Sequence, residues 1–179
     1  MKYILFYKPY NVICQFTSEP HVTNLSSFQL PPDVYAAGRL DKDSEGLLFL
    51  TNDGPLIHRL TDPKFEKPKT YWVQVENIPT EEKLNQLRQG VKIQDYFTLP
   101  CEIKIIAEPK IAPRNPPIRV RKNIPTCWLE MTLIEGKNRQ IRHMTAYIGH
   151  PTLRLIRFSL GNWDLGNLTP GQWQEIHKL

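Results

Sequence analysis

The densest run of reactive side chains in this sequence is Gly38-Arg39-Leu40-Asp41-Lys42-Asp43-Ser44-Glu45-Gly46-Leu47-Leu48. It sets carboxylates, cations and a hydroxyl in a glycine-bounded loop between two apolar stretches, and loops held by rigid strands are where reactive groups concentrate. One of its carboxylates could take part in acid–base or nucleophilic chemistry. The same residues could form a solvated charged hairpin, and composition alone leaves that reading open. A third reading groups Asp41 and Asp43 with Asp53 as hard oxygen ligands for magnesium in phosphoryl transfer. His21, His58, His143, His150 and His177 show no HxH or HExxH spacing, so they give a metal site no support. Cys14, Cys101 and Cys127 are odd in number and form no CxxC pair, which predicts buried free thiols rather than a disulfide framework.

The elements that hold this loop can be read from the apolar pattern. Alternation with β-branched and aromatic residues predicts strands at KYILFY, NVICQF, DVYAAG, GLLFLT, KTYWVQV, EIKIIA, TCWLEMTLI and TLRLIRFSL. Within KTYWVQV, Tyr71, Val73 and Val75 share one face and Trp72 takes the other as packing. Thr80 caps a helix over TEEKLNQLRQ, with Leu84 and Leu87 inward and Gly90 ending it. A second helix is predicted from about Asn138 to Ile148, with an apolar stripe of Ile141, Met144 and Ile148 and a stop at Gly149; Arg139 and Arg142 would share its flank. A shorter helix follows Asp53 through Leu56, Ile57 and Leu60.

A chain of 179 residues can bury one core, expected here as a single domain over residues 1–179 with two lobes. Hydrophobic content of 40% and charged content of 23% fit a folded globular protein. The opening MKYILFYKPYNV has too short an apolar run for a signal peptide, and no stretch approaches the roughly 20 apolar residues that span a bilayer; a cytoplasmic protein with no membrane partner is expected. The formal charge of +5 is unevenly spread: residues 101–160 hold eleven Lys and Arg against four Asp and Glu, a net +7, leaving −2 for the rest. Regional basic charge suits a polyanion, although a solvated basic face gives the same pattern. Prolines at 109, 113, 116 and 117 precede Arg119, Arg121 and Lys122 and predict an exposed basic loop.

The Gly38–Leu48 run resembles the GRLDxxTxGLL signature of pseudouridine synthases of the ribosomal small-subunit synthase family. Further resemblance lies at Tyr7-Lys8-Pro9, at Lys69-Thr70-Tyr71-Trp72-Val73 and at Glu135-Gly136-Lys137-Asn138-Arg139-Gln140-Ile141-Arg142-His143-Met144, in the family's order, and spans essentially the whole chain. It is strongest for the branch acting on large-subunit ribosomal RNA. Ser44 stands where Thr is usual and keeps the hydroxyl. The amino-terminal RNA-binding domain of many members is not found in this sequence.

The resemblance implies an α+β fold: a central mixed, mainly antiparallel sheet with flanking helices, in two lobes around a cleft. It implies that Asp41 is the catalytic carboxylate, that Tyr71 contacts the target base and assists removal of its C5 proton, and that Arg142 is the basic active-site residue. A carboxylate in a water-poor pocket stays ionised only beside a cation or hydrogen-bond donors, a role that a planar guanidinium fills well. Arg39, Lys69, Lys137 and Arg139 would contact RNA, with Arg119, Arg121 and Lys122 extending that surface. The implied partner is ribosomal RNA, met by a monomer with neither metal nor organic cofactor. An RNA-binding or ribosome-assembly module on the same scaffold would be expected to lack Asp41, Tyr71 or Arg142, and all three are present.

Overall fold

The computed structural model describes residues 1–177. In chain order the strands and helices are β1 (Tyr3–Lys8), β2 (Tyr35–Ala36), β3 (Glu45–Thr51), α1 (Gly54–Thr61), β4 (Lys69–Glu76), α2 (Glu81–Gln89), β5 (Lys92–Ile93), β6 (Tyr96–Phe97), β7 (Glu102–Ile106), β8 (Thr126–Leu133), α3 (Gln140–Tyr147), β9 (Thr152–Leu160), β10 (Trp163–Asp164) and β11 (Trp173–Glu175). The class is α+β, and the strand pairs described here are antiparallel. The chain forms two compact units, one of Met1–Lys67 with the residues from Arg157 onward, the other of Pro68–Ile156.

In the first unit β1 runs between β11 and β3, and β2 pairs with β3. Every residue of β3 is buried, as expected of an unbroken apolar run covered on both faces. Ile4, Phe6, Leu48 and Leu50 point into one cluster with Val12, Leu25 and Val34. On the alternate positions Phe49 meets Trp163 at 4.7 Å between ring centroids. Asp53 caps α1 by accepting from Leu56 N–H at 3.1 Å, and Leu56 and Leu60 are buried.

In the second unit β8 lies between β4 and β7. Val73 and Val75 of β4 are fully buried and Tyr71 packs against the same cluster, so the predicted face of this strand is the one that turns inward. Leu84 and Leu87 of α2 and Ile141 and Met144 of α3 close over that cluster. Thr80 caps α2 as expected, accepting from Lys83 N–H at 3.3 Å.

Four sequence expectations need correction. NVICQF is not a strand; it makes only an isolated bridge, Ile13 to Asn24. The carbonyls of Pro9 and Val12 turn instead to the Lys8 ammonium, each at 2.7 Å, and Asn11 takes a positive φ of 68°, so this backbone is used to surround a buried cation. DVYAAG shrinks to Tyr35–Ala36. Arg139 does not share a helix flank with Arg142, because it is the N-cap of α3 in a left-handed conformation, φ 53°. Of the three free thiols only Cys127 is buried; Cys14 and Cys101 are half-buried.

Candidate active site

The loop that carries Asp41 is built around the end of β1. Lys8 is fully buried there, an unusual place for an ammonium. Burial pushes it down to about 8, opposed by the nearby carboxylates of Glu45, Asp43 and Asp41. Ser44 and Glu45 are buried below the loop, Asp41 and Asp43 are half-buried, and Arg39 and Lys42 are exposed. The loop closes on itself where Ser44 N–H donates to Asp41 O at 3.0 Å, and Asn11 N–H donates to Lys42 O at 2.8 Å. On the other side of Asp41, Leu40 is tied to Cys14: the thiol donates to Leu40 O and accepts from Leu40 N–H, each at 3.3 Å. The backbone around Asp41 is thus fixed through both chain neighbours' segments, and Asp41 itself is half-buried.

Gly46 follows this loop directly, with φ +115°, and a Cβ there would collide with the backbone of Arg157. Arg157, itself buried, donates from Nε to Leu47 O at 2.9 Å. The glycine that ends the charged loop therefore lets a neighbouring strand approach its base. Asp53 is committed elsewhere, capping α1 and accepting from Tyr3 Oη at 3.1 Å. Among the described residues no three His, Cys, Asp or Glu side chains gather as ligands for a metal.

In the second unit, Tyr71 is half-buried on β4 opposite Met131. Trp72, on the other face, donates from Nε1 to Glu130 at 3.3 Å. Arg142 is half-buried in the first turn of α3. The segment leading into α3 is organised by Gln140, a buried side chain that the sequence reading did not single out. Its amide donates to Glu135 Oε1 at 2.7 Å and accepts from Lys137 N–H at 3.1 Å, and the same Glu135 oxygen accepts from Leu99 N–H at 2.7 Å. A buried polar group with its partners in place rigidifies its surroundings. Here it presents Lys137 and Arg139, both exposed.

Lys69 lies beside that segment, its Nζ 3.8 Å from where a Cβ on Gly136 would stand, so Lys69 and Lys137 occupy one basic edge. Arg119, Arg121 and Lys122 are exposed in the loop between β7 and β8, and Arg121 pairs with Glu76 at 3.4 Å. Two other arginines of the basic region are structural. Arg114 donates to the carbonyls of Pro116, Pro117 and Leu153, and Arg154 donates to Ala112 O at 2.8 Å. Charge counting could not separate these backbone clasps from exposed cations. The burial of Lys8 was likewise missed, although a lysine directly after an apolar strand and before proline was its one available signal.

A profile describing RNA pseudouridylate synthase matches residues 2–147. The chain belongs to this family of RNA-modifying isomerases, and its α+β fold is theirs. It is 56% identical over 175 residues to the ribosomal large subunit pseudouridine synthase E of Vibrio parahaemolyticus, covering 98% of this chain and 74% of the relative. To the protein of the same name from Xanthomonas campestris it is 54% identical over 174 residues, covering 96% and 93%. Among solved structures, a crystal structure of pseudouridylate synthase superposes with a TM-score of 0.80 at 25% identity over 98% of this chain and 70% of the other.

Proposed function

We propose that this protein converts a uridine of large-subunit ribosomal RNA to pseudouridine, with Asp41 as the catalytic carboxylate, Tyr71 against the base and Arg142 as the active-site guanidinium. The observation that carries this reading is the half-buried Asp41 loop, fixed by Asn11, Cys14 and its own Ser44 turn, in a chain more than half identical to two relatives named for large-subunit RNA.

In the reaction the ribose C1′ to uracil N1 bond breaks, the base turns, a C1′ to C5 bond forms, the C5 proton leaves and N1 regains one. No atoms are gained or lost, and no metal or organic cofactor is required. Asp41 stands at the sugar or the ring as the group that assists departure of the base. Tyr71 offers a stacking face and a phenol tip to the detached uracil and assists loss of its C5 proton. Arg142 supplies the active-site guanidinium, a planar group suited to carboxylate or phosphate oxygens. Extruding a nucleotide costs a few kcal/mol, which phosphate contacts from Arg39, Lys69, Lys137, Arg139, Arg119, Arg121 and Lys122 would offset. The chain acts as a single catalytic domain, as a cytoplasmic monomer.

Mapping pseudouridines across ribosomal RNA in cells with and without the gene tests the assignment. One large-subunit position is expected to lose its modification, to regain it with the wild-type chain, and to stay unmodified with Asp41→Asn. A change confined to small-subunit RNA would overturn the substrate, and full restoration by Asp41→Asn would overturn the mechanism in favour of an assembly role.

A further inference from the structure

Beside the Asp41 loop, within the first unit, lies a concavity of about 320 Å³ lined by Cys14, Gln15, Phe16, Tyr35, Gly38 and Arg39. It falls at the small end of the size range of ligand sites, and two of its walls are aromatic rings left open to solvent: Phe16 is 39% exposed and Tyr35 62%. Two exposed aromatic rings lining one hollow offer flat faces on which a planar ligand can stack. The walls are preformed. Ile13 N–H donates to Thr23 O at 3.1 Å and Leu25 N–H to Gln15 O at 2.8 Å, which fix the Gln15–Phe16 side; Tyr35 is set by its pairing with Thr51 across β2 and β3.

We infer that this hollow is a subsite for an unpaired nucleobase adjacent to the target uridine in the RNA strand. The inference rests on the reading that Asp41 acts on that uridine. Its chemistry is that of single-strand recognition: aromatic faces on which any base can stack, an amide at Gln15 for a base edge, and the Arg39 guanidinium for the phosphate or for stacking on the base. Its position supplies the link to catalysis. Gly38 and Arg39 line the hollow three and two residues ahead of Asp41, and Cys14, also in its wall, is bonded through sulfur to Leu40, the residue immediately before Asp41. A base held in this hollow would therefore register the strand against the catalytic loop. A protein side chain could also fill an aromatic hollow, but a guanidinium at its rim, in an enzyme whose substrate is a polyanion, favours a nucleotide.

Two measurements test this. In the first, RNA fragments carrying the mapped uridine are prepared with an abasic residue on its 5′ or 3′ side, and turnover is followed for the wild-type chain and the Phe16→Ala,Tyr35→Ala double variant. Loss of the base on one side is expected to raise KM of the wild type about tenfold with little change in kcat. The double variant should show the same rise on intact RNA and no further rise on the abasic fragment, since both changes remove one contact. Multiplying losses, or a KM indifferent to both abasic positions, would overturn the subsite, as would a loss seen only on ribosomal particles and never on naked RNA, which would assign the hollow to a protein. The second measurement needs no turnover: a short oligouridylate with one 2-aminopurine is titrated with both proteins. Fluorescence quenching by the wild type that the double variant fails to produce supports the subsite, and equal signals overturn it. Absence of pseudouridine formation by the wild type would remove the functional reading itself, whereas turnover with unchanged KM and equal fluorescence removes the subsite alone.

Discussion

Cys14 and Leu40 are joined twice through one sulfur atom, which donates to the Leu40 carbonyl and accepts from the Leu40 amide, both at 3.3 Å. Leu40 is buried, so without the thiol its amide would be left without a partner away from water. That costs about 1–3 kcal/mol. Cys14→Val, which keeps bulk and removes both bonds, is expected to lower stability by that amount in denaturant titration and to reduce kcat severalfold. Cys14→Ser keeps a donor and acceptor and should fall between the two proteins. Equal kcat for all three would show that the Asp41 loop does not depend on this tether.

Lys8 gives the pH prediction. Burial lowers its folded value to about 8 from an ordinary 10.5, so between these two pH values the unfolded chain binds the proton and the folded chain does not. Stability contributed through this group therefore rises as pH increases from about 8 to 10.5 and is flat below 8, where both states are charged. Other groups titrating in this window cancel when the wild type is compared with Lys8→Met. The stability difference between the two, measured by urea titration, should move in favour of the wild type across that window. A constant difference would mean that Lys8 is not desolvated as the fold implies.

The legibility of this protein in its sequence divides by physical cause. Strands such as Lys69–Glu76 and Thr126–Leu133 were readable because apolar alternation is a local signal, and α2 because Thr80 and Gly90 mark its ends. The segment at residues 11–16 carries the same local signal and failed, because the buried Lys8 ammonium, a tertiary feature, takes the Val12 carbonyl. Asp41 could be singled out only through the family signature, since composition also allowed a solvated turn. Cys14, Gln140 and Arg157 were silent: each acts through backbone groups distant in sequence or through a loop closed only in the folded chain, and residue type carries no trace of that.

Gly46 and Arg157 predict a sharp packing limit. Gly46→Ala adds a methyl against the Arg157 backbone at a φ of +115°, combining overlap with a conformation that L-residues rarely adopt. The variant is expected to lose at least about 3 kcal/mol of stability, seen as a lowered denaturation midpoint. Arg157→Met keeps the strand approach and removes only the bond to Leu47 O; it should cost about half as much or less. Similar losses for the two would place the constraint in the side-chain bond and not in the close backbone approach.

The basic edge of the second unit gives a prediction in salt. Each phosphate contact adds about 0.7 to the slope of log affinity against log salt concentration for single-stranded nucleic acid. Lys137→Ala and Lys69→Ala should each reduce the slope by about that amount. Arg121 is held by Glu76 at 3.4 Å, so Arg121→Ala should reduce it less, and Glu76→Gln, which frees that guanidinium, should steepen it. Gln140→Leu leaves every cation in place but releases the Glu135 and Lys137 bonds that organise the segment. It is expected to weaken RNA binding severalfold by disordering Lys137 and Arg139 together. A Gln140→Leu protein with unaltered affinity and slope, measured by filter binding over a salt series, would show that phosphate contacts there do not need the buried amide.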